Sequence, residues 1–394
     1  MEFLGYRRPD GSVGVRNHIL VVAVTDCVEE VARKIANNVK EAVAVTQHYG
    51  CLRIGNEQVI NILGGAARNP NVAAVLLVSM GCESLKPELI ADEIEKSRKP
   101  FEILTVQKEG GTVNTVMKGV KIIREFAEEV SELKREVFNI KNLVVGVKCG
   151  GSDTTSGIAA NPAVGVAVDM LIDMGATVIL GEPIEAIGAE NVLARRAAND
   201  EVRGKILNTI LSEEKEWKIP GLELEFMCKG NIMGGLSTIE EKSLGAVLKG
   251  GTRTVQGVLE NSGRILERPS GGGLYLLEGT HSDIPCLTNM AAAGAQIIVF
   301  TTGVGGIFGN AISPTIIVCG NPETYEKLGG EIDINAGTII KGVESIKQVG
   351  EKILNEIVKV ASGKLTKTES LNYRNFAVYI PDPRLKLFLK DREQ

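Results

Sequence analysis

The run Cys149-Gly150-Gly151-Ser152-Asp153 puts a thiol, a hydroxyl and a carboxylate on neighbouring residues, and Glu182, Glu185 and Glu190 follow one helix and one strand later. The apolar run Leu143 to Val147 leads straight into it, so the cluster should stand at the carboxyl end of a strand, where open α/β sheets bind ligands. Asn161-Pro162 starts a helix with apolar residues at Val164, Val168, Leu171 and Ile172. Ala176 to Leu180 is the next strand. A βαβ unit makes the two strands parallel neighbours, which brings the glutamates to the edge that carries Cys149 and Asp153. A second set of side chains lies at upstream strand ends: Cys27, His48, Cys51, Cys82 and Glu83. Imidazole, thiolate and carboxylate together suit iron or zinc.

These residues need a scaffold of parallel strands. His18 to Val24, Ala42 to Thr46 and Val72 to Val78 are strand-like runs, each followed by a helical stretch. The spacing predicts an α/β protein of two doubly wound domains with mainly parallel sheets, residues 1–137 and 138–394, and a site between them. A charged helix from Asn114 to about Phe138 crosses the boundary. Gly5 to Asn17 reads as a loop or hairpin turning at Asp10-Gly11, and Arg16 with Asn17 could anchor a carboxylate through the guanidinium fork. Gly303-Val304-Gly305-Gly306, after a strand from Gln296 to Thr302, could cradle an anion with its amides, as could Gly150 and Gly151.

Composition narrows the function. A chain of 394 residues with 24% charged side chains and a net charge of −5 is globular and gives no electrostatic reason for a nucleic-acid or membrane partner. No apolar run reaches membrane-spanning length, and a cytoplasmic location is expected, with reduced thiols rather than disulfides. The glycine fingerprint of nicotinamide enzymes is missing after the first strand, so no such cofactor is expected.

The segments GYRRPDGSVGVRN, ARNPNVAAVLLVSMGCE, CGGSDTTSGIAANPAVG, EKSLGAVLKGG, FTTGVGGIFGN, SPTI and DINAG occur in this order. Together they resemble the large, catalytic part of the altronate and galactarate dehydratase family, which includes the large subunit of sulfolactate sulfo-lyase. The resemblance implies a lyase that removes water, or sulfite, from a 2-hydroxy acid. It also implies a divalent metal, iron(II) before manganese(II), a separately encoded small subunit, and assembly into a homo-oligomer. Two positions that are basic in the family pattern are Val304 and Ile317 here, which points to a different substrate, or to a homologue that binds a sugar acid without turning it over.

Removing a proton α to a carboxylate requires a base, an acid for the leaving group and stabilisation of the enediolate by a cation. The candidate acid–base residues are Lys242, Glu241, Glu185 and Asp153. His48, Cys51, Cys82, Cys149, Glu83 and Glu182 are the candidate metal ligands. Arg16, Asn17, Gly150, Gly151, Ser152, Thr154, Asn161, Thr301, Thr302 and Asn310 are the candidate substrate contacts. Against these stand plainer readings. Cys27, Cys228, Cys286 and Cys319 read as small buried hydrophobes, Glu240-Glu241-Lys242 as a solvated helix face, and His18 as structural, with His281 a weaker candidate than His48.

Overall fold

The computed structural model describes residues 1–52, 56–217, 227–261, 265–279 and 282–380; His281 lies outside them. The chain opens on a hairpin, β1 (Glu2–Arg7) and β2 (Val13–Gly14), paired antiparallel across the expected turn. Four strands then form a wholly parallel sheet in the order β4-β3-β5-β6: β3 (His18–Ala23), β4 (Ala42–Val45), β5 (Val72–Ser79) and β6 (Phe101–Thr105). All eight residues of β5 are buried, as expected of a strand covered by helices on both faces.

The crossing helix is shorter than its pattern suggests. It spans Thr112–Ser131, and Glu136–Asn139 form β7, antiparallel to β1. Tertiary contacts override the helical pattern here: Arg135 donates to the carbonyls of Leu4, Val15 and Ala361 while its guanidinium lies over the Tyr6 ring, and Phe138 packs beside Phe3.

The second sheet has seven strands, all parallel, in the order β10-β11-β9-β8-β12-β13-β14. They are β8 (Val144–Cys149), β9 (Thr177–Leu180), β10 (Val255–Leu259), β11 (Gly273–Leu277), β12 (Ile297–Thr302), β13 (Thr315–Cys319) and β14 (Ile334–Asn335). The expected fold class, parallel α/β sheets wound in both directions, is what forms. Connections diverge to opposite sides between β3 and β5 in the first sheet and between β8 and β12 in the second. Loops leave such a point in opposite directions and open a crevice at the carboxyl ends. Among the described residues no helix is long and apolar enough to cross a membrane.

The two sheets share interior. The core that lines one face of the first sheet (Leu20, Val24, Ile62, Leu77) continues into Ala291, Ala292, Ala311 and Ile312. Gly65 lets the helix Asn56–Arg68 approach the helix Asp283–Ala292, since a Cβ there would lie 2.7 Å from the Ala292 carbonyl oxygen. Asn69 donates to the carbonyls of Ala291 and Ala295. Asn71 donates to those of Gln296 and Ile312 and accepts from the Val15 and Arg16 amides. These two side chains, both fully buried, pin the start of β5 to the start of β12. Asn71→Ala would strand two buried amides and two carbonyls, each worth about 1–3 kcal/mol when wholly unpaired. The expected loss after local relaxation is about 3 kcal/mol, read as a lower urea midpoint; a midpoint within error of the parent would refute the pinning role.

Candidate active site

At the carboxyl ends of β8 and β9 the structure buries two ammonium groups and two glutamates around a thiol. Lys148 is the last but one residue of β8, in a strand otherwise apolar apart from Cys149. Lys249 is the middle residue of the tight turn Leu248–Gly250 that follows the helix Ile239–Val247. Both are 1% exposed. The Lys249 ammonium spends its three N–H bonds on Glu185 Oε2 at 2.8 Å, Cys149 Sγ at 3.2 Å and the Ala246 carbonyl at 3.2 Å. The Cys149 thiol donates to Glu185 Oε2 at 3.0 Å. Lys148 Nζ donates to the Cys149 carbonyl at 2.6 Å and pairs with Glu182 and Asp283, with Glu185 at 4.0 Å. Asp283 is the partly open edge of the group, its side chain 29% exposed. Gly150 makes room for it, because a Cβ would stand 2.5 Å from Asp283 Oδ1.

The charges settle unequally. Burial pushes the Cys149 thiol up to about 11, helped by the Glu185 charge, so the sulfur is a thiol at neutral pH. Burial also works against charge on Glu185, yet Lys249 and Lys148 outweigh it and hold this carboxyl down to about 2. Glu182 goes the other way: burial, only partly offset by Lys148, and the neighbouring Glu185 and Asp283 charges raise it to about 7. Burial disfavours both ammonium ions as well, but their carboxylate and thiol neighbours keep each above the usual lysine value. Glu182 also carries a left-handed backbone, φ 60°, uncommon for a residue with a side chain and often found where function demands a particular aim. Two carboxyls driven apart by their surroundings are the pattern of an acid–base site.

One turn further on, Asp153 closes the loop from β8. Its Oδ1 accepts from Thr155 Oγ1 and from the Ser156 amide and hydroxyl, and its Oδ2 from Asn321 Nδ2 at 3.0 Å. It thereby fixes the entry to the π-helical turn Ser156–Ala160. Gly303 must be glycine, since a Cβ there would lie 1.9 Å from Asp153 Oδ1. Thr302 Oγ1 accepts from the Gly305 and Gly306 amides, which folds this second loop beside the first. Between them opens a cleft of about 610 Å³, lined in part by Asp153, Thr154, Gly230, Val304 and Lys327. Val304 therefore faces the cleft, whereas Ile317 is fully buried in β13, and a base at that position would meet core.

The other candidates divide. The structure brings Cys149, Glu182 and Glu185 together, but lysine ammonium groups take the place among them that a metal would need. Arg16 spends its guanidinium on Glu369 and on the carbonyls of Val15, Val360 and Lys364. Asn17 joins Arg8 to the Val130 carbonyl; both residues hold the amino-terminal segment in place. Asn161 accepts from Thr301 and donates to the Gly245 carbonyl, a buried strut. Ser152 Oγ and Asn310 Nδ2 are buried with no hydrogen-bond partner among the described residues. Glu241 is exposed and bonded to Ser237 in its own helix entry, while Lys242, half-buried, lends its charge to Glu185. Glu83 folds back on Ser79 and the Gly81 amide, and His48 is exposed. Lys148, Lys249 and Asp283 escaped the sequence reading, although a lysine inside a buried strand was the available signal.

Two thiols of the first sheet meet at the carboxyl ends of β3 and β4. Among the described residues, Asp26, Cys27 and Cys51 are the one group of three or more whose potential ligand atoms lie within 4.8 Å of one another. Cys27, like Cys228, is exposed rather than a buried hydrophobe, whereas Cys286 and Cys319 are buried. This soft donor set fits the kind of ion that the family resemblance implies.

Comparison with known proteins identifies relatives along nearly the whole chain. Residues 5–131 match the second domain of D-galactarate dehydratase/altronate hydrolase, and residues 140–382 match the C-terminal part of D-galactarate/altronate dehydratase. The chain is 37% identical to the (2R)-sulfolactate sulfo-lyase subunit beta of Chromohalobacter salexigens, over 95% of this chain and 96% of that one. It is 35% identical to the altronate dehydratase of Bacillus subtilis (96% of this chain, 77% of the relative) and 33% identical to the galactarate dehydratase of Escherichia coli (97% and 77%). The chain belongs to the D-galactarate/altronate dehydratase family of lyases.

Proposed function

We propose that the protein eliminates water from a 2-hydroxy acid, such as altronate or a related sugar acid, to give a 2-oxo acid, and that Glu182 handles the proton. What supports this is membership of a dehydratase family together with a buried carboxyl that is paired with the Lys148 ammonium and pushed up to about 7 by burial. Near neutrality such a group both accepts and returns a proton, as a general base must. Glu182 takes the proton from C2; the C3–O bond then breaks with its electron pair on oxygen, and the proton passes to the departing hydroxyl. The resulting enol gains a proton at C3, gives up the one on its C2 hydroxyl, and becomes the 2-oxo acid. Lys148 and Lys249 keep the surrounding negative charge balanced, while Glu185, held ionised, keeps the Lys249 ammonium in place.

A divalent cation, iron(II) before manganese(II), would supply Lewis-acid stabilisation of the enediolate. Sulfite elimination is the second reading, favoured by the 37% identity to a sulfo-lyase subunit. That relative's designation as a subunit beta also supports a small partner chain for this one.

The test is 2-oxo acid formation from aldonic, aldaric and 3-sulfo-2-hydroxy acids, with protein purified without oxygen and supplied with ferrous ion and the small partner. One acid is expected to turn over, and Glu182→Gln to lower kcat by about 10²–10⁴-fold. Failure of every acid with folded, metal-loaded protein would refute the enzymatic reading and favour a binding homologue.

The pH dependence supplies a second check. Activity should rise with pH through a midpoint near 7 that Glu182→Gln removes. Stability should move oppositely. A carboxyl raised from 4.5 to about 7 on folding keeps a proton that the unfolded chain has lost, so its contribution falls as pH rises between those values. Urea midpoints of parent and Glu182→Gln should diverge across that window, and parallel curves would show that Glu182 is not shifted.

A further inference from the structure

The geometry points to a site for a thiophilic divalent cation on the first sheet, built from Asp26, Cys27 and Cys51 and separate from the lysine-filled group on the second. Cys27 follows β3 and Cys51 follows β4, adjacent parallel strands. Their side chains converge on one carboxylate oxygen: Cys27 Sγ stands 3.5 Å and Cys51 Sγ 3.9 Å from Asp26 Oδ1. Thr25 Oγ1 and the Cys27 amide fix that oxygen at 2.9 and 2.8 Å, so the carboxylate is oriented before any ion arrives.

The loop from β5 is stapled alongside. Ser84 Oγ donates to the Cys51 carbonyl at 2.8 Å and the Leu85 amide to the Gly50 carbonyl at 3.0 Å. Three neighbouring strand-end loops thus hold the donors in register. Cys82, a further exposed thiol, rides on the third of them.

Asp26, Cys27 and Cys51 are all exposed, so an ion enters from solvent without opening the fold. Two thiolates with one carboxylate are soft enough to favour zinc, cobalt or ferrous ion over magnesium or calcium. Three protein donors also leave a coordination position free, as in catalytic rather than structural sites. The assignment rests on these contacts and not on the proposed reaction, and it is tested without turnover.

The experiment titrates the reduced, metal-stripped chain with cobalt(II) under nitrogen. The expected result is one equivalent bound per chain with a thiolate-to-cobalt charge-transfer band in the near ultraviolet. Zinc should displace it and excess magnesium should not. Cys27→Ser and Cys51→Ser, with unchanged circular dichroism, should each lose most of the band and at least tenfold in affinity; Cys228→Ser should change neither. Absence of the band in the parent chain, displacement by magnesium as readily as by zinc, or a band that survives both serine substitutions would overturn the assignment. Recovery of Cys27 and Cys51 as a disulfide that binds no cobalt after reduction would do the same. The competition between zinc and magnesium needs no variant, so it decides the question even if a substitution fails to fold.

Discussion

Burying two lysines under one strand edge is the constraint around which the second sheet is arranged. An ammonium ion taken out of water loses several kcal/mol unless charges and acceptors replace its hydration. Lys148 and Lys249 find that replacement only because β8 and β9 are neighbours, because Gly150 admits Asp283, and because the segment 248–250 returns beneath the edge. Each partner has little reason to be there without the others. Hydrophobic side chains of similar volume would often give equal or greater stability in such a place, so retention of this many charges is better understood as chemistry than as architecture.

The sequence exposes the scaffold more readily than the site. Runs such as Val72 to Val78 announce buried parallel strands because their period is unbroken, and Asn161-Pro162 announces a helix because proline suits its first turn. Cys149, Glu182 and Glu185 could be placed together from the βαβ rule alone. Lys249 could not, since it arrives from a hundred residues downstream and its burial depends on a turn that no periodicity describes. Arg16 and Asn17 misled for a related reason: a guanidinium fork pairs equally well with a substrate carboxylate and with Glu369, and only the fold reveals which is present. The end of the Thr112–Ser131 helix failed on a local pattern that pairing with β1 overrode.

Both sheets put their reactive side chains at the carboxyl ends of neighbouring parallel strands, yet with opposite electrostatic designs. The first leaves an open cluster of soft donors around Asp26. The second seals its charges against each other and keeps one carboxyl close to the balance point between its two protonation states. The shared geometry explains why chemistry collects at these edges; the surrounding side chains decide what kind.

The pinning of β5 to β12 by Asn69 and Asn71 has a mechanical consequence. Swinging the two sheets apart like the leaves of a clamshell would tear four asparagine-to-carbonyl bonds and expose the continuous core beside Ala291 and Ile312. Against a total stability of about 5–15 kcal/mol for a typical domain, that motion is close to unfolding. Molecules must therefore come and go by local rearrangement of the strand-end loops, and exchange should be governed by the speed of loop motion rather than of rigid bodies.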